Sequence, residues 1–214
     1  MRVLIPFSLD RPKSRLSDVL NPAERESFAR SMLADVLDAV DGAGGTPVIL
    51  ATEPIEPPTA TDPRVRVDDR DLTAAVNAAL DGGLTAVAGE REPVAVVMSD
   101  LPLATPRSLR RLFRADGDVA IAAGWGGGTN ALVVRDPAFR VDYHGASYLD
   151  HLRLAADAGA AVAEVDSRRL ATDVDEPDDL AELLVHGDGR AAGWLRDAGF
   201  EIDADGGRVG VSRE

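Results

Sequence analysis

The sequence predicts an α/β fold, a three-layer sandwich built on a mostly parallel sheet in one domain, residues 1–214. Three observations predict it. Short apolar runs alternate along the chain with longer amphipathic segments, the pattern of βα units whose helices cover both faces of a sheet. The hydrophobic fraction is 45% but aromatics make up only 4%, so the core is aliphatic and rich in Ala, Val and Leu. No internal repeat, heptad or low-complexity tract divides the chain.

The elements follow in order. The apolar run 2–7 reads as a buried central strand and leads into a polar loop, 8–17. Asn21-Pro22-Ala23-Glu24 then carries an N-cap, a proline at the first helical position and a glutamate at the third. Phe28, Met32, Leu33, Val36, Leu37 and Val40 give that helix one apolar face, and glycines between 42 and 45 end it. Strands are predicted over 47–51 and 65–67, joined by a proline-bearing surface loop, 53–63. A helix over 72–80 and a strand over 94–98 come next. Thr105-Pro106 opens a helix to about residue 115. Strands over 118–123 and 130–134, a helix over 147–158, a strand over 161–165 and a helix over 177–185 complete the pattern.

Composition excludes several classes of function. With no cysteine there is no disulfide framework, thiolate zinc site or cysteine nucleophile. The net charge of −14 disfavours nucleic acid and anionic membranes as partners. No secretory signal or run of about 18 apolar residues is present, so a soluble, cytoplasmic protein is expected. Neither a P-loop nor a glycine-rich dinucleotide loop occurs, and no Gly-x-Ser-x-Gly elbow suggests a hydrolase. Acid is supplied mainly by 26 Asp, and base by 22 Arg with a single lysine, Lys13.

Ligands of such sheets sit at the carboxyl ends of the strands. Arg11-Pro12-Lys13-Ser14-Arg15 follows the first strand as a basic loop in an acidic chain. Lys13 and Arg15 suit a polyphosphate, though a solvated loop would read the same way. Asp100 ends the strand 94–98 and is placed either to hold a hard cation or to cap a turn before Pro102. In an extended segment Asp173 and Asp175 share one side and suit the same ion, while carboxylates ahead of Pro177 also suit a helix N-terminus. That structural role falls to Asp178 and Asp179. The glycine-rich stretch 124–130 offers backbone donors to an anion or base, or else makes a hairpin turn. Ser147 reads as an N-cap at an anion-attracting helix start. His144, His151 and His186 lack metal-ligand spacing and read as bystanders, and Trp125 and Trp194 as packing residues.

Pro6, Lys13-Ser14-Arg15-Leu16, Asn77-Ala78-Ala79-Leu80, Ser99-Asp100-Leu101-Pro102, Gly127-Gly128-Thr129-Asn130-Ala131-Leu132, Ser147 with His151, and the run from Asp173 to Leu180 occur in that order. Together they resemble the 2-phospho-L-lactate guanylyltransferase family, over residues 1–184. The resemblance implies a single nucleotidyltransferase domain with a Rossmann-like sheet, similar to nucleotide-diphospho-sugar transferases, and a homodimer. It implies that GTP joins 2-phospho-L-lactate, or phosphoenolpyruvate, with loss of pyrophosphate, on the way to coenzyme F-420. Residue by residue, it implies Mg²⁺ on Asp100, Asp173 and Asp175, and contacts from Thr129, Asn130 and Ser147 to the acid. Pro6, Lys13, Arg15 and Asn77 fall on the nucleotide side, with Lys13 and Arg15 catalytic. The family's glycine three residues before the serine falls here on His144, with glycine displaced to Gly145. Another nucleotidyl or sugar-nucleotide-dependent transferase, or a GTP-binding module without catalysis, are the alternative readings. The Asp and Arg usage also resembles that of halophilic proteins.

Overall fold

A computed structural model of the chain describes residues 1–59, 62–83, 92–204, 207 and 209–213. Residues 60 and 61 of the predicted loop 53–63 lie outside the described residues. The sheet comprises β1 (Arg2–Phe7), β2 (Thr46–Ala51), β3 (Arg64–Val67), β4 (Val94–Val97), β5 (Val119–Ala123), β6 (Thr129–Val134) and β7 (Val162–Glu164). Their spatial order is β3-β2-β1-β4-β6-β5-β7. β1 pairs in parallel with β2 and β4, β2 with β3, and β5 with β7. β6 alone runs against its neighbours β4 and β5. The glycine-rich stretch 124–128 is therefore a hairpin turn, closed by Gly124 N–H to Gly128 C=O at 2.9 Å.

The helices are α1 (Pro22–Gly42), α2 (Leu72–Gly83), α3 (Pro106–Phe113), α4 (Ser147–Ala158), α5 (Arg168–Ala171), α6 (Pro177–His186) and α7 (Arg190–Asp197). Asn21 and Glu24 exchange side-chain and backbone hydrogen bonds ahead of α1, and Thr105 and Ser108 do the same ahead of α3. Alternation along the strands divides the core. Val3, Ile5, Ala95, Val97, Ala131 and Val133 pack with α1, α3, α5, α6 and α7. Leu4, Val48, Val94, Val96, Leu132 and Val134 pack with α2 and α4. Phe28 is fully buried in the first half, and its truncation to Ala is expected to cost about 3–5 kcal/mol.

Beyond residue 185 the structure adds α7 and a hairpin, β8 (Phe200–Asp203) with β9 (Gly210–Arg213). Arg213 lies over the Phe200 ring and reaches the Val19 carbonyl and Glu24, tying this end of the chain to the start of α1. No helix among the described residues is long and apolar enough to cross a membrane.

Candidate active site

Four loops meet where the parallel strands end. The loop after β1 carries Lys13, the turn after β4 carries Asp100, the start of β6 carries Thr129 and Asn130, and the segment 172–176 carries Asp173 and Asp175. Val174 N–H donates to the Asp100 carbonyl at 3.0 Å, which lays that segment beside the end of β4. Val174 is fully buried, so its two aspartate neighbours point the other way, as an extended backbone requires.

Lys13 has φ +50°, a left-handed conformation that a side chain ordinarily avoids, and Arg11 shares it at φ +45°. Arg25 of α1 holds this loop in place, donating from Nε to Pro12 C=O at 3.2 Å and from Nη1 to Leu20 C=O at 2.9 Å. The strained turn directs the lysine inward. Its Nζ donates to Asp100 Oδ2 at 2.9 Å and to Asp175 Oδ1 at 2.6 Å. Burial disfavours the ammonium charge, yet the two carboxylates outweigh it and hold Lys13 above the ordinary lysine pKa. Asp100 Oδ1 is buried with no partner. Burial pushes the Asp173 carboxyl above the usual aspartate range, and Asp100 and Asp175 add to that push against a hydrogen bond from Asn130. One ammonium thus answers two carboxylates, leaving negative charge in excess, and Asp173 lies near enough to both for them to raise its pKa.

This donor set fits a hard divalent cation, which favours carboxylate oxygens and retains open positions for substrate phosphates. The orphaned Asp100 Oδ1 and the charge excess are the observations that support the fit. Among the described residues no three carboxylate or histidine groups are already gathered around one point. Lys13 stands between two of the three.

A register shift between Ala122 and Ala123 of β5, opposite the start of β6, re-aims two side chains. Strict alternation from Ala131 would turn Asn130 toward α4. Instead Asn130 Nδ2 donates to Leu170 C=O and to Asp173 Oδ1, both at 3.0 Å. Thr129 faces α4, where His151 Nδ1 lies 2.8 Å from its Oγ1, and its N–H donates to Ser147 Oγ at 3.0 Å.

Three cavities form one cleft along this edge. The central one, about 350 Å³, is lined by Ser8, Lys13, Ser14, Arg15, Ser99, Asp100 and Asp175. It shares Phe7 and Ser8 with a mostly apolar cavity of about 370 Å³, walled by Pro6, Leu50, Leu72, Ala75 and Met98. On the other side it shares Arg15 and Asp175 with a polar cavity of about 520 Å³ that includes Trp125, Arg168, Asp173 and Glu176.

The family model described as "Guanylyl transferase CofC like" matches residues 1–213. The chain belongs to that family. This guanylyl transferase is 61% identical to the protein named 2-phospho-L-lactate guanylyltransferase from Halorubrum lacusprofundi, over 100% of both chains. It is 58% identical to the protein of that name from Halomicrobium mukohataei, again over 100% of both. With the one from Methanoregula boonei the identity is 47%, over 98% of this chain and 94% of the other. Two solved structures share its fold. A protein described as a nucleotide-diphospho-sugar transferase, from Desulfovibrio desulfuricans G20, superposes with a TM-score of 0.73 at 16% identity, covering 92% of this chain and 94% of that one. A nucleotidyl transferase from Methanothermobacter thermautotroptrophicus gives 0.59 at 16% identity, covering 92% and 98%.

Within the guanylyl transferase, the predicted residues divide into those brought together and those placed elsewhere. Lys13, Arg15, Asp100, Asp173 and Asp175 line the cleft, with Asn130 bonded to one of them, and Pro6 lines its apolar end. Asn77 does not line it. Both ends of its amide are bonded to the Val141 backbone at 2.9 Å, so its part is to pin the segment before α4. Ser147 is not the N-cap, which is Ala146; it is the first helical residue, and its hydroxyl serves Thr129. Thr129 and Ser147 are buried rather than open to the cleft. Trp125 is exposed at the cleft rim instead of packed inside, whereas Trp194 does pack, 5.2 Å from the Phe28 ring. His144, exposed and paired with Asp142, is raised in pKa by that contact. Asp179 takes its structural role, accepting from the Asp175 and Glu176 N–H groups at the start of α6. Arg25 is a residue of the site that the sequence motifs did not single out, and His151, quoted there with Ser147 but read as a bystander, is buried against Thr129. No local pattern marks Arg25, whose contact with the Pro12 carbonyl depends on how the loop folds back on α1.

Proposed function

We propose that this enzyme transfers the guanylyl group of GTP to the phosphate of 2-phospho-L-lactate, or of phosphoenolpyruvate, releasing pyrophosphate in coenzyme F-420 biosynthesis. The observation that carries the reading is the cleft itself, with Lys13, Asp100 and Asp175 at the junction of an apolar and a polar cavity. Family membership and the activity for which its relatives are named support it.

In this reading the apolar end at Pro6, Leu50 and Met98 takes the base, and the triphosphate lies over the central cavity. The phosphorylated acid enters from the side of Arg168 and Trp125. An oxygen of its phosphate is already anionic, so no general base is needed; the barrier is repulsion between two phosphorylated molecules. That oxygen forms the new bond to the α-phosphorus as the bond from the α-phosphorus to the β-phosphate oxygen breaks, and the electron pair leaves with pyrophosphate. Lys13 has three N–H donors, two held by Asp100 and Asp175, and the third is available to a phosphate oxygen. Arg15 borders both substrate cavities and can leave Glu176, its exposed partner at 3.3 Å, for developing charge on the transferring group. Asp100, Asp173 and Asp175 would hold Mg²⁺, which when bound supplies Lewis-acid charge neutralisation at the phosphates. Asn130 orients Asp173 for that task. The proposal includes small-molecule substrates rather than nucleic acid or membrane, a cytoplasmic setting, and a homodimer; the first rests on the charge of the chain and the last on the family resemblance.

The test is pyrophosphate release from GTP and Mg²⁺ with each acid in turn. Release that requires one of the acids is expected. Retained GTP binding without release, with both acids, would overturn the reading.

A further inference from the structure

The apolar cavity that ends the cleft is walled by Leu50, Leu72, Ala75 and Met98, and Leu72 remains 38% exposed there. Its polar groups are mostly spent on the fold. Thr52 donates its hydroxyl to Ser8 Oγ at 3.1 Å, and Asp71 accepts from the Ala74 N–H at 2.9 Å at the start of α2. Asp68 follows β3, where its N–H donates to the Ala51 carbonyl at 2.8 Å and so extends the pairing with β2. The Asp68 side chain is only 7% exposed, and Arg70 takes both of its oxygens, Nε donating to Oδ1 at 2.7 Å and Nη2 to Oδ2. Arg70 is half exposed and is the one cation among the described residues that line this cavity.

Five N–H donors lie in the plane of a guanidinium. Asp68 uses one edge of the Arg70 plane, the Nε and Nη2 hydrogens. The next edge sets one N–H of Nη1 beside the second N–H of Nη2, two parallel donors with no acceptor among the described residues. A largely buried carboxylate seated beside the sheet holds that plane in place, so the parallel donors are set before a ligand arrives. A purine in an aliphatic slot is held by its faces and told apart by its edge. Guanine presents two acceptors side by side, O6 and N7, which an arginine fork matches. Adenine carries an amino group in place of O6 and sets donor against donor. A pyrimidine has no N7.

We propose that Arg70 is the residue that selects guanine, donating from its free edge to O6 and N7 of the base in this cavity, with Asp68 as its positioning residue. This deepens the proposed function and rests on the place given there to the base. The contact is the same before and during transfer at the α-phosphorus, so it acts on nucleotide binding and not on the rate of the chemical step.

Replacing N7 of GTP by C–H, in 7-deaza-GTP, removes one acceptor and leaves the rest of the nucleotide intact. With Mg²⁺ and an acceptor acid that supports turnover, the parent enzyme should show a KM for 7-deaza-GTP about tenfold above that for GTP, the worth of one charge-assisted hydrogen bond, with kcat unchanged. In Arg70→Ala the KM for GTP should rise by about tenfold or more, and the two nucleotides should become equal within about twofold. A merely structural role for Arg70 would raise both KM values in step and keep their ratio, and that result would overturn the proposal. Equal KM values for the two nucleotides in the parent would overturn it without any variant. Titration calorimetry of the parent with GTP and with 7-deaza-GTP, no acid being present, reads the same ratio as an affinity. A tenfold ratio in binding, together with no pyrophosphate release from either acid, would defeat the proposed function and support the contact. Pyrophosphate release with no preference between the two nucleotides would defeat the contact alone.

Discussion

The Lys13 ammonium donates to Asp175 at 2.6 Å across 162 positions of the chain, and the same nitrogen holds Asp100 at 2.9 Å. The single lysine of the chain therefore sits as a counter-charge between two proposed metal ligands. A compact ammonium fits that position; a planar guanidinium presents its donors in a fixed fork and does not.

Removing the ammonium is expected to act on both stability and turnover. Lys13→Ala leaves Asp100 and Asp175 facing each other without a cation, and kcat should fall by roughly 100-fold, as for loss of one preorganised charge stabiliser. The rise in Tm on adding Mg²⁺ should be larger in the variant than in the parent, because the two carboxylates are no longer occupied. Thermal melts with and without Mg²⁺ check this; equal metal-induced shifts would contradict a shared place for Lys13 and the cation. Lys13→Arg should not restore turnover.

Asp173 is pushed above the ordinary aspartate pKa by burial, and further by Asp100 and Asp175. A carboxyl raised in the folded state makes folding less favourable as pH climbs past its unfolded value and the group ionises. Asp173→Asn should therefore raise Tm in metal-free buffer at neutral pH, while lowering turnover by about 100-fold or more. A lower metal-free Tm would show that the charge is already compensated by another group.

Much of this cluster is legible in the sequence, because it depends on local rules. A strand-end aspartate, and two aspartates spaced by one residue, face a crevice wherever the backbone is extended. The facing of Thr129 and Asn130 is not legible, since it follows from a register shift against β5, a property of two paired strands. The reversal of β6 was within reach through the glycine turn, which fits a hairpin as well as an anion site. Asn77, placed on the nucleotide side by the resemblance alone, is instead bonded through both ends of its amide to the Val141 backbone, a contact between elements that no local pattern shows. The segment after residue 185 gives little periodic signal: β8 and β9 are four residues each and mostly exposed, and Arg213 holds them through contacts distant in sequence.

Burial of His151 gives stability a pH dependence with a definite sign. Burial lowers its folded pKa to about 4, below the ordinary histidine value of about 6.5. As pH falls from 6.5 to 4 the unfolded chain takes a proton that the folded one does not, and this should cost up to about 3 kcal/mol. His151→Asn lacks that contribution, so its stability deficit relative to the parent should shrink across the same interval. Urea melts at pH 7, 6, 5 and 4 check this; a constant deficit would mean that the ring is not held neutral.

A chain with net charge −14 repels itself in dilute buffer. At about 1 M salt the Debye length falls to roughly 3 Å and most of that repulsion is screened. Tm is expected to rise steadily with KCl from low to multimolar concentration. A Tm that does not change would place the acidic surface outside the stability of the fold.

The central claim is that an acceptor phosphate oxygen attacks the α-phosphorus of GTP at the Lys13, Asp100 and Asp175 junction. It is tested most directly by ³¹P NMR of the products formed from GTP, Mg²⁺ and an acceptor acid labelled with ¹⁸O in its phosphate. The account predicts a new diphosphate diester with ¹⁸O in the bridge, and unlabelled pyrophosphate. GDP with orthophosphate, or a bridge oxygen without label, would contradict it.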